Sequence, residues 1–148
     1  MTTEPKFIPN EAVEISLGDN AHLKVRMIDC VGYIVDSSLG YVEDNEPRMV
    51  TTPWFDHPIA FNEAAEIGTK KVICEHSTIG LVVTTDGTIT EIDRNDYVDA
   101  ENRVINELKA INKPFIVLLN SVAPNSQSAQ NLKAELETKH GVPVVGKL

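Results

Sequence analysis

An aspartate that follows an apolar stretch, with a glycine three residues later, is a pattern that could do chemistry. Asp29 follows the stretch 25–28, and Gly32 completes the pattern D-x-x-G. In nucleoside triphosphatases such a carboxylate holds Mg²⁺ directly or through water. Such a glycine lets a backbone N–H approach a γ-phosphate, because it has no Cβ. Patterns with two fixed positions are common by chance, so a buried strand that ends in a turn is the alternative interpretation.

Polar residues also follow two other apolar stretches of the chain. Thr84, Thr85 and Asp86 end one stretch, and Asn120 and Ser121 end another. In open α/β sheets, ligands bind at the carboxyl ends of the strands. The coincidence of these ends with Asp29 favours a nucleotide site over a purely structural role.

One stretch, 141–147, comes close to the phosphate-binding pattern G-x-x-x-x-G-K-[ST]. Leu148 stands where a Ser or Thr would hold Mg²⁺. A predicted strand also fills the place of the loop, so we interpret the match as chance.

The histidines and cysteines do not predict a metal site made of protein ligands alone. The four histidines lack zinc-like spacing, and no Cys-x-x-Cys is present. Cys30 and Cys74 are interpreted as reduced small hydrophobes on buried elements.

Composition excludes several classes of function. The chain has 148 residues, 42% of them hydrophobic and 5% aromatic, which predicts one domain with an aliphatic core. The net charge is -9 and no basic block is present, so nucleic acid is not an expected partner. The longest apolar runs have the length of strands, so no membrane span is expected, and the first residues do not resemble a signal peptide.

The elements that must position the polar residues alternate along the chain. Residues 13–17 and 22–28 alternate with period two around a Gly-Asp-Asn turn, which predicts a hairpin that ends at Asp29. Helices are predicted over about 61–76, 96–111 and 126–140, and strands over 78–85, 114–119 and 142–145. This order predicts an α/β fold with a mainly parallel sheet and an antiparallel hairpin at its edge.

The same patterns predict which residues are buried. The strands 78–85 and 114–119 are apolar on both faces and are expected to be covered on both. The stretch 32–58 reads as a long loop, in which Tyr41, Trp54 and Phe55 should pack on the core or on a partner. The inward stripes of the helices are predicted to be Phe61, Ala65, Gly68 and Val72; Tyr97, Ala100, Val104, Leu108 and Ile111; and Ala129, Leu132 and Leu136.

Seven blocks spread over the chain carry a resemblance to a known family. They are MTTEPKF at 1–7, DCVGY at 29–33, PRM at 47–49, TPW at 52–54, EAAEIGTKKV at 63–72, EHSTIG at 75–80 and TTDGTI at 84–89. On these blocks the chain resembles the stage IV sporulation protein A family, the spore-coat morphogenetic ATPases of endospore-forming bacteria. The resemblance implies a P-loop NTPase-like domain of the TRAFAC type that uses ATP with Mg²⁺.

The resemblance also implies roles for individual residues on the phosphate side of the site. Thr2 and Thr3 match the sensor threonines of the family, with Thr3 a candidate ligand of the nucleotide-bound Mg²⁺. Asp29 matches the Walker B aspartate and is the other candidate Mg²⁺ ligand, and Gly32 would sense the γ-phosphate.

On the base side of the site, the segment that begins at Asn120 takes the place of the guanine-reading motif N-K-x-D. Ser121 replaces the Lys and Ala123 replaces the Asp. Without that carboxylate the bidentate reading of guanine is lost, in keeping with a family that does not select guanine.

In this family, the resemblance implies, ATP hydrolysis drives self-assembly into a homopolymer. The polymer forms the basement layer of the spore coat at the forespore surface, in the cytoplasm of the mother cell, with other spore coat proteins as partners. The P-loop strand, cradle and helix of the family lie before Thr2, so residues 1–148 are expected to be a partial ATPase domain that is not catalytically competent alone. The alternative is a non-catalytic α/β module that binds coat partners through the loop 32–58.

Overall fold

The computed structural model describes residues 5–18, 20–35, 37–38, 42–43 and 46–147. In chain order the elements in these residues are β1 (Lys6–Ser16), β2 (His22–Asp29), β3 (Val42–Glu43), β4 (Glu46–Pro47), β5 (Met49–Val50), β6 (Ile59–Ala60), α1 (Phe61–Lys71), β7 (Gly80–Thr85), α2 (Val98–Ala110), β8 (Phe115–Asn120), α3 (Gln127–His140) and β9 (Val144–Lys147). They divide between two compact units. The first unit comprises Met1–Gly32 and Tyr41–Ser77, and the second comprises Tyr33–Gly40 and Thr78–Leu148.

The predicted hairpin is confirmed as the antiparallel pair β1–β2 of the first unit. Residues 1–10 show no periodicity and contain Pro5 and Pro9, which predicts an extended loop, but strand β1 begins at Lys6, so this prediction is wrong from Lys6 onward. Pro9 is tolerated because the ladder register breaks between Ile8 and Val13, where a missing backbone N–H costs no regular hydrogen bond. At the turn, the N–H of Leu17 donates to the carbonyl of Ala21 at 2.7 Å.

The hairpin is amphipathic. One face, which we call the apolar hairpin face, carries Ile8, Val13, Ile15, Leu23, Val25 and Met27. All of these except the half-buried Val25 are exposed. The opposite face carries charged side chains, and there the guanidinium of Arg26 lies 4.3 Å from the centre of the Phe7 ring. The period of two in the sequence is the cause of this separation, because successive side chains of a strand point to opposite faces.

The stretch 32–58, predicted as a long loop, contains the short strands β3, β4 and β5. Strand β3 pairs with β4, and β5 pairs with β6, which follows the stretch; both pairs are antiparallel. Trp54 is half-buried, with the ammonium of Lys71 6.0 Å from its ring, and Phe55 lies 5.6 Å from the ring of His57. Tyr41 lies outside the described residues.

Helix α1 follows β6 directly and continues as a π-helical turn over Val72–His76. Its predicted inward stripe is confirmed, since Phe61, Ala65 and Gly68 are buried, as is Val72 in the π turn.

The second unit is a parallel sheet with the strand order β7-β8-β9. Helix α2 connects β7 to β8, and α3 connects β8 to β9. Val82, Val117 and Val144 are paired in register and buried, and they share one face of the sheet with Gly80, which lies against Leu108 of α2. The predicted α/β fold with a parallel sheet and an antiparallel hairpin is thus confirmed.

The other face of this sheet is exposed, so the prediction that both faces are covered is wrong. Leu81 and Val83 are 53% and 58% exposed, and Ile116 and Val145 are also exposed. The cause is topological, because both crossover helices bury the same face. An apolar run of residues cannot reveal by itself how many faces of a strand have a neighbour.

The helices of the second unit follow their predicted ranges but not all of their predicted faces. Helix α2 is preceded by a 3₁₀ turn over Arg94–Tyr97 and buries Glu101, Ile105 and Leu108, while Ile111 is exposed. The predicted stripe is therefore confirmed at Leu108 and wrong at Ile111, while Tyr97, Ala100 and Val104 are half-buried.

Helix α3 begins and ends at the residues that its sequence signals indicate. The Ser126 hydroxyl accepts a hydrogen bond from the N–H of Ala129, and Gly141 ends the helix with a φ of 62°. Ala129 and Leu136 are buried as predicted, whereas Leu132 is only half-buried. The stretch 144–147 is strand β9, which agrees with our view that the P-loop-like pattern there is chance. Within the described part of the chain, none of the helices has the length and apolar character that a bilayer crossing requires.

Candidate functional site

Asp29 and Gly32 stand at the end of β2 in the first unit. Asp29 is the last residue of the strand, its backbone pairs with Lys6, and its side chain is exposed. Gly32 has a φ of +81°, and no heavy atom lies within 4 Å of the position that a Cβ would occupy. The carboxylate is therefore accessible to a ligand, and the backbone at Gly32 has the open approach that a phosphate group would need.

Cys30, between these two residues, is half-buried. Burial raises the pKa of its thiol above the usual range, against the opposing effect of hydrogen bonds with the Gly32 backbone and the Thr69 side chain. A raised pKa keeps the thiol protonated and unreactive near neutral pH. Cys74 is exposed, so its predicted burial is wrong.

The two candidate sensor residues, Thr2 and Thr3, lie outside the described residues. Their roles stay predictions of the family resemblance.

Asn120 and Ser121 end strand β8 at the carboxyl edge of the parallel sheet. The carbonyl of Asn120 accepts a hydrogen bond from the N–H of Asp86 at 3.2 Å, and the N–H of Ser121 donates to the carbonyl of Lys147 at 3.0 Å. The Ser121 side chain is buried, and its hydroxyl accepts from the N–H of Ala123 at 3.0 Å. This segment is thus fixed by its backbone to the ends of β7 and β9.

The loop after β7 makes a second connection to the same segment. The carboxylate of Asp86 accepts hydrogen bonds from the N–H of Thr88 at 3.0 Å and from the Thr88 hydroxyl at 2.5 Å. The same hydroxyl accepts from the N–H of Val122 at 3.0 Å. We call Asp86, Thr88, Asn120, Ser121 and Val122 the strand-end cluster.

The electrostatics of the cluster keep Asp86 ionised. Partial burial acts to raise the pKa of its carboxyl group, but hydrogen bonds from the side chain of Ser121 and from Thr88 outweigh it and lower the pKa. An ionised carboxylate is only an acceptor, which fixes the Thr88 hydroxyl as the donor in their hydrogen bond.

A buried charged network lies next to the cluster in the second unit. Glu101 of α2 is 3% exposed and accepts hydrogen bonds from Arg94 at 2.9 Å and from the Thr84 hydroxyl at 2.8 Å. His140, at the end of α3, places its Nε2 atom 3.8 Å from the same carboxylate without a hydrogen bond. A buried ion pair of this kind connects β7, the 3₁₀ turn and α2.

Two of the three predicted strand ends are brought together by the fold. Thr85 and Asp86 meet Asn120 in register at the edge of the parallel sheet. Asp29 and Gly32 belong to the first unit, and their proximity to the other strand ends stays a prediction. Sequence reasoning missed Thr88, although the spacing Asp-x-Thr after a strand is a known signal for a side chain that closes a local turn.

No group of three or more His, Cys, Asp or Glu side chains with the geometry of a metal site occurs among the described residues. A Mg²⁺ ion that arrives with a nucleotide does not require such a group, because it keeps several water molecules and uses one or two carboxylates. The exposed, strand-terminal carboxylate of Asp29 fits that requirement.

The fold and the strand-end geometry define a class before any relative is considered. A parallel sheet with polar strand ends, together with an antiparallel hairpin that ends at an aspartate, is consistent with an incomplete P-loop NTPase-like domain. The chain matches the family described as "Stage IV sporulation protein A, ATPase domain" over residues 1–147. The chain belongs to this family.

Curated relatives support the same assignment. Proteins named "Stage IV sporulation protein A" from Bacillus anthracis, Bacillus subtilis (strain 168) and Clostridioides difficile (strain 630) are 54%, 53% and 56% identical to this chain over 145 residues. The match covers 98% of this chain and 30% of each relative, so the chain spans less than a third of their length. No solved structure matches the chain.

Proposed function

We propose that the chain is part of an ATP-hydrolysing structural protein that acts in sporulation, and that residues 1–148 are a portion of its ATPase domain. The observation that carries this proposal is the match of residues 1–147 to the ATPase-domain family. The open backbone at Gly32 and the exposed carboxylate of Asp29 support it, because both are accessible to a ligand.

In the proposed site Asp29 binds the Mg²⁺ that accompanies the nucleotide, directly or through water. When bound, that ion neutralises charge on the phosphate oxygens. Thr3 is the second proposed ligand, and Thr2 and Thr3 contact the γ-phosphate. The Gly32 backbone N–H donates to the same phosphate, which its φ of +81° and the open space around it allow.

The proposed base side of the site is the segment that begins at Asn120. Ala123 occupies the position of the carboxylate that reads guanine in related enzymes. The segment thus lacks the acceptor that would select guanine over adenine, which supports ATP as the nucleotide.

The names of the relatives support a role in sporulation. By extension we propose that the whole protein self-assembles into a homopolymer that forms the basement layer of the spore coat. Its place would be the forespore surface on the mother-cell side, in contact with other spore coat proteins.

ATP hydrolysis by the full-length product of the gene tests this proposal. We expect Mg²⁺-dependent phosphate release from the wild type and its loss in Asp29→Ala. Asp56→Ala is the matched control, since the Asp56 side chain is 99% exposed in the same unit and has no proposed role. Loss of activity in both variants, or in neither, would contradict the role of Asp29. Residues 1–148 alone should give no turnover, because the phosphate-binding cradle supplies most of the phosphate contacts.

A second candidate function, a non-catalytic interaction module, is favoured by one observation. The apolar hairpin face exposes Ile15, Leu23 and Met27, which a nucleotide site does not need. This module would bind coat partners, also through the loop 32–58. Association in the analytical ultracentrifuge that is independent of both nucleotide and salt, without phosphate release by the full-length product, would favour this function over the first.

A further inference from the structure

We infer that Thr88 is a positioning residue of the nucleotide site, whose hydroxyl holds the segment that begins at Asn120 in place by joining Asp86 to Val122. The inference rests on the proposed function, since it assigns Thr88 to the base side of that site. Thr88 lies outside the two segments already assigned to the site, which are the D-x-x-G pattern at 29–32 and the segment at 120–123 that takes the place of N-K-x-D.

The geometry uses both capacities of one hydroxyl group. Thr88 donates its only hydroxyl proton to the Asp86 carboxylate at 2.5 Å, and its oxygen accepts the N–H of Val122 at 3.0 Å. A hydroxyl has one donor and two acceptor sites, so the two bonds do not compete. Because the carboxylate can only accept, both hydrogen bonds have a fixed direction. The Val122 N–H donates to the Thr88 hydroxyl, and the Thr88 hydroxyl donates to Asp86.

The relay completes a set of backbone anchors on consecutive residues. Asn120 is held at its carbonyl by Asp86, and Ser121 is held at its N–H by Lys147. At the next residue, the N–H of Val122 is held by the hydrogen bond that it donates to the Thr88 hydroxyl.

Apolar packing does not replace the anchor at Val122, because its side chain is 58% exposed. Loss of the Thr88 hydroxyl should therefore release this N–H to solvent and loosen the segment. Preorganised contact residues bind a ligand more tightly than mobile ones, since less conformational freedom is lost on binding. Weaker nucleotide binding follows from a looser segment, even though Thr88 itself contacts no ligand.

Hydrogen exchange of the Val122 amide in residues 1–148, measured by NMR, tests the anchor without any nucleotide. Thr88→Val removes the hydroxyl and keeps the shape, and we expect it to speed exchange at this amide on the order of fivefold. Thr88→Ser keeps the hydroxyl and should exchange like the wild type. Thr138→Val is the matched control, because the Thr138 hydroxyl donates to the carbonyl of Ala134 within α3. Unchanged exchange in Thr88→Val would overturn the inference.

Fluorescent ATP and GTP analogues, bound to the full-length gene product with Mg²⁺, test the consequence. We expect Thr88→Val to weaken ATP-analogue binding on the order of fivefold, with Thr88→Ser and Thr138→Val within about twofold of the wild type. Equal affinity of Thr88→Val and wild type would overturn the inference while the proposed function stands. If the wild type binds neither analogue, the proposed function itself fails and the role of Thr88 in it fails too, whatever the exchange result.

Discussion

The Thr84 hydroxyl donates a hydrogen bond to the carboxylate of Glu101 at 2.8 Å, which joins the end of strand β7 to the buried side of helix α2. Arg94 pairs with the other oxygen of this carboxylate at 2.9 Å, and the Glu101 side chain is 1% exposed. The ion pair is thus buried, and each charge is stabilised mainly by its partner because little water reaches it.

Replacement of Glu101 by Ala should strongly destabilise the chain. It leaves the guanidinium of Arg94, which is 18% exposed, without its carboxylate, and leaves the Thr84 hydroxyl without an acceptor. We expect a loss of about 3 kcal/mol in the free energy of unfolding, measured by urea denaturation. Glu135→Ala, on the exposed side of α3, should change this free energy by less than about 0.5 kcal/mol. Equal midpoints for the two variants would show that the buried pair does not stabilise the fold.

The stability should also decrease on mild acidification because of His140. Burial lowers the pKa of this histidine below 6.5, and the charges of Lys139 and Lys109 add to the effect, while Glu101 opposes it. The unfolded chain therefore binds the proton more readily than the folded chain. The free energy of unfolding should fall as the pH decreases from 6.5 through the lower pKa of the folded state.

Urea denaturation at a series of pH values measures this dependence. His140→Gln should reduce the slope of stability against pH in this window. A slope that is the same in wild type and His140→Gln would contradict the assignment to His140.

Gly87, in the loop after β7, should be harder to replace than Gly141 at the end of α3. Its φ is +86°, and an added Cβ would come within 2.9 Å of the backbone nitrogen of Arg94. Gly141, which ends α3 with a φ of +62°, has open space at the same position and is the matched control. We expect Gly141→Ala to cost about 1 kcal/mol and Gly87→Ala about 2–4 kcal/mol, as measured by thermal unfolding. A smaller cost at Gly87 than at Gly141 would mean that the loop moves aside without penalty.

A comparison of Gly32→Ala with Gly18→Ala distinguishes the loss of a phosphate contact from the effect of backbone strain. Both lie in the first unit, with φ values of +81° and +70°, and neither has a heavy atom within 4 Å of an added Cβ. Gly32→Ala and Gly18→Ala should each cost about 1 kcal/mol of stability. Only Gly32→Ala should impair ATP hydrolysis by the full-length product, because the proposed phosphate contact is with the Gly32 backbone and not with the Gly18 backbone. An equal effect of both variants on phosphate release would refute the role of Gly32.

The local elements could be predicted from the sequence because their signals are local. The Gly-Asp-Asn turn and the alternation around it predict the hairpin, and Ser126 and Gly141 mark the ends of α3. Which side of a helix is buried was harder to predict, as Glu101 of α2 shows. A periodicity argument assigns a glutamate to solvent, whereas here Arg94 and Thr84 stabilise it in the interior.

In the candidate site, too, some residues could be predicted from the sequence and others could not. Strand ends such as Asn120 and Asp86 follow from the apolar runs before them, so their meeting at one edge could be predicted. The contact of Thr88 with Val122 joins residues that are 34 positions apart in the chain and depends on the register of β7 and β8. A single sequence carries no signal for such a pairing.

The order of the parallel sheet has a consequence during protein synthesis. Strand β7 pairs with β8, and β8 pairs with β9, which is the last described strand. Each strand thus leaves the ribosome before the partner that follows it, separated from that partner by a whole helix. The edge of β8 therefore stays unpaired in the nascent chain until Val144–Lys147 has emerged. During that interval the apolar strands are open to association with other chains, and a chaperone that binds extended apolar segments would have its substrate there.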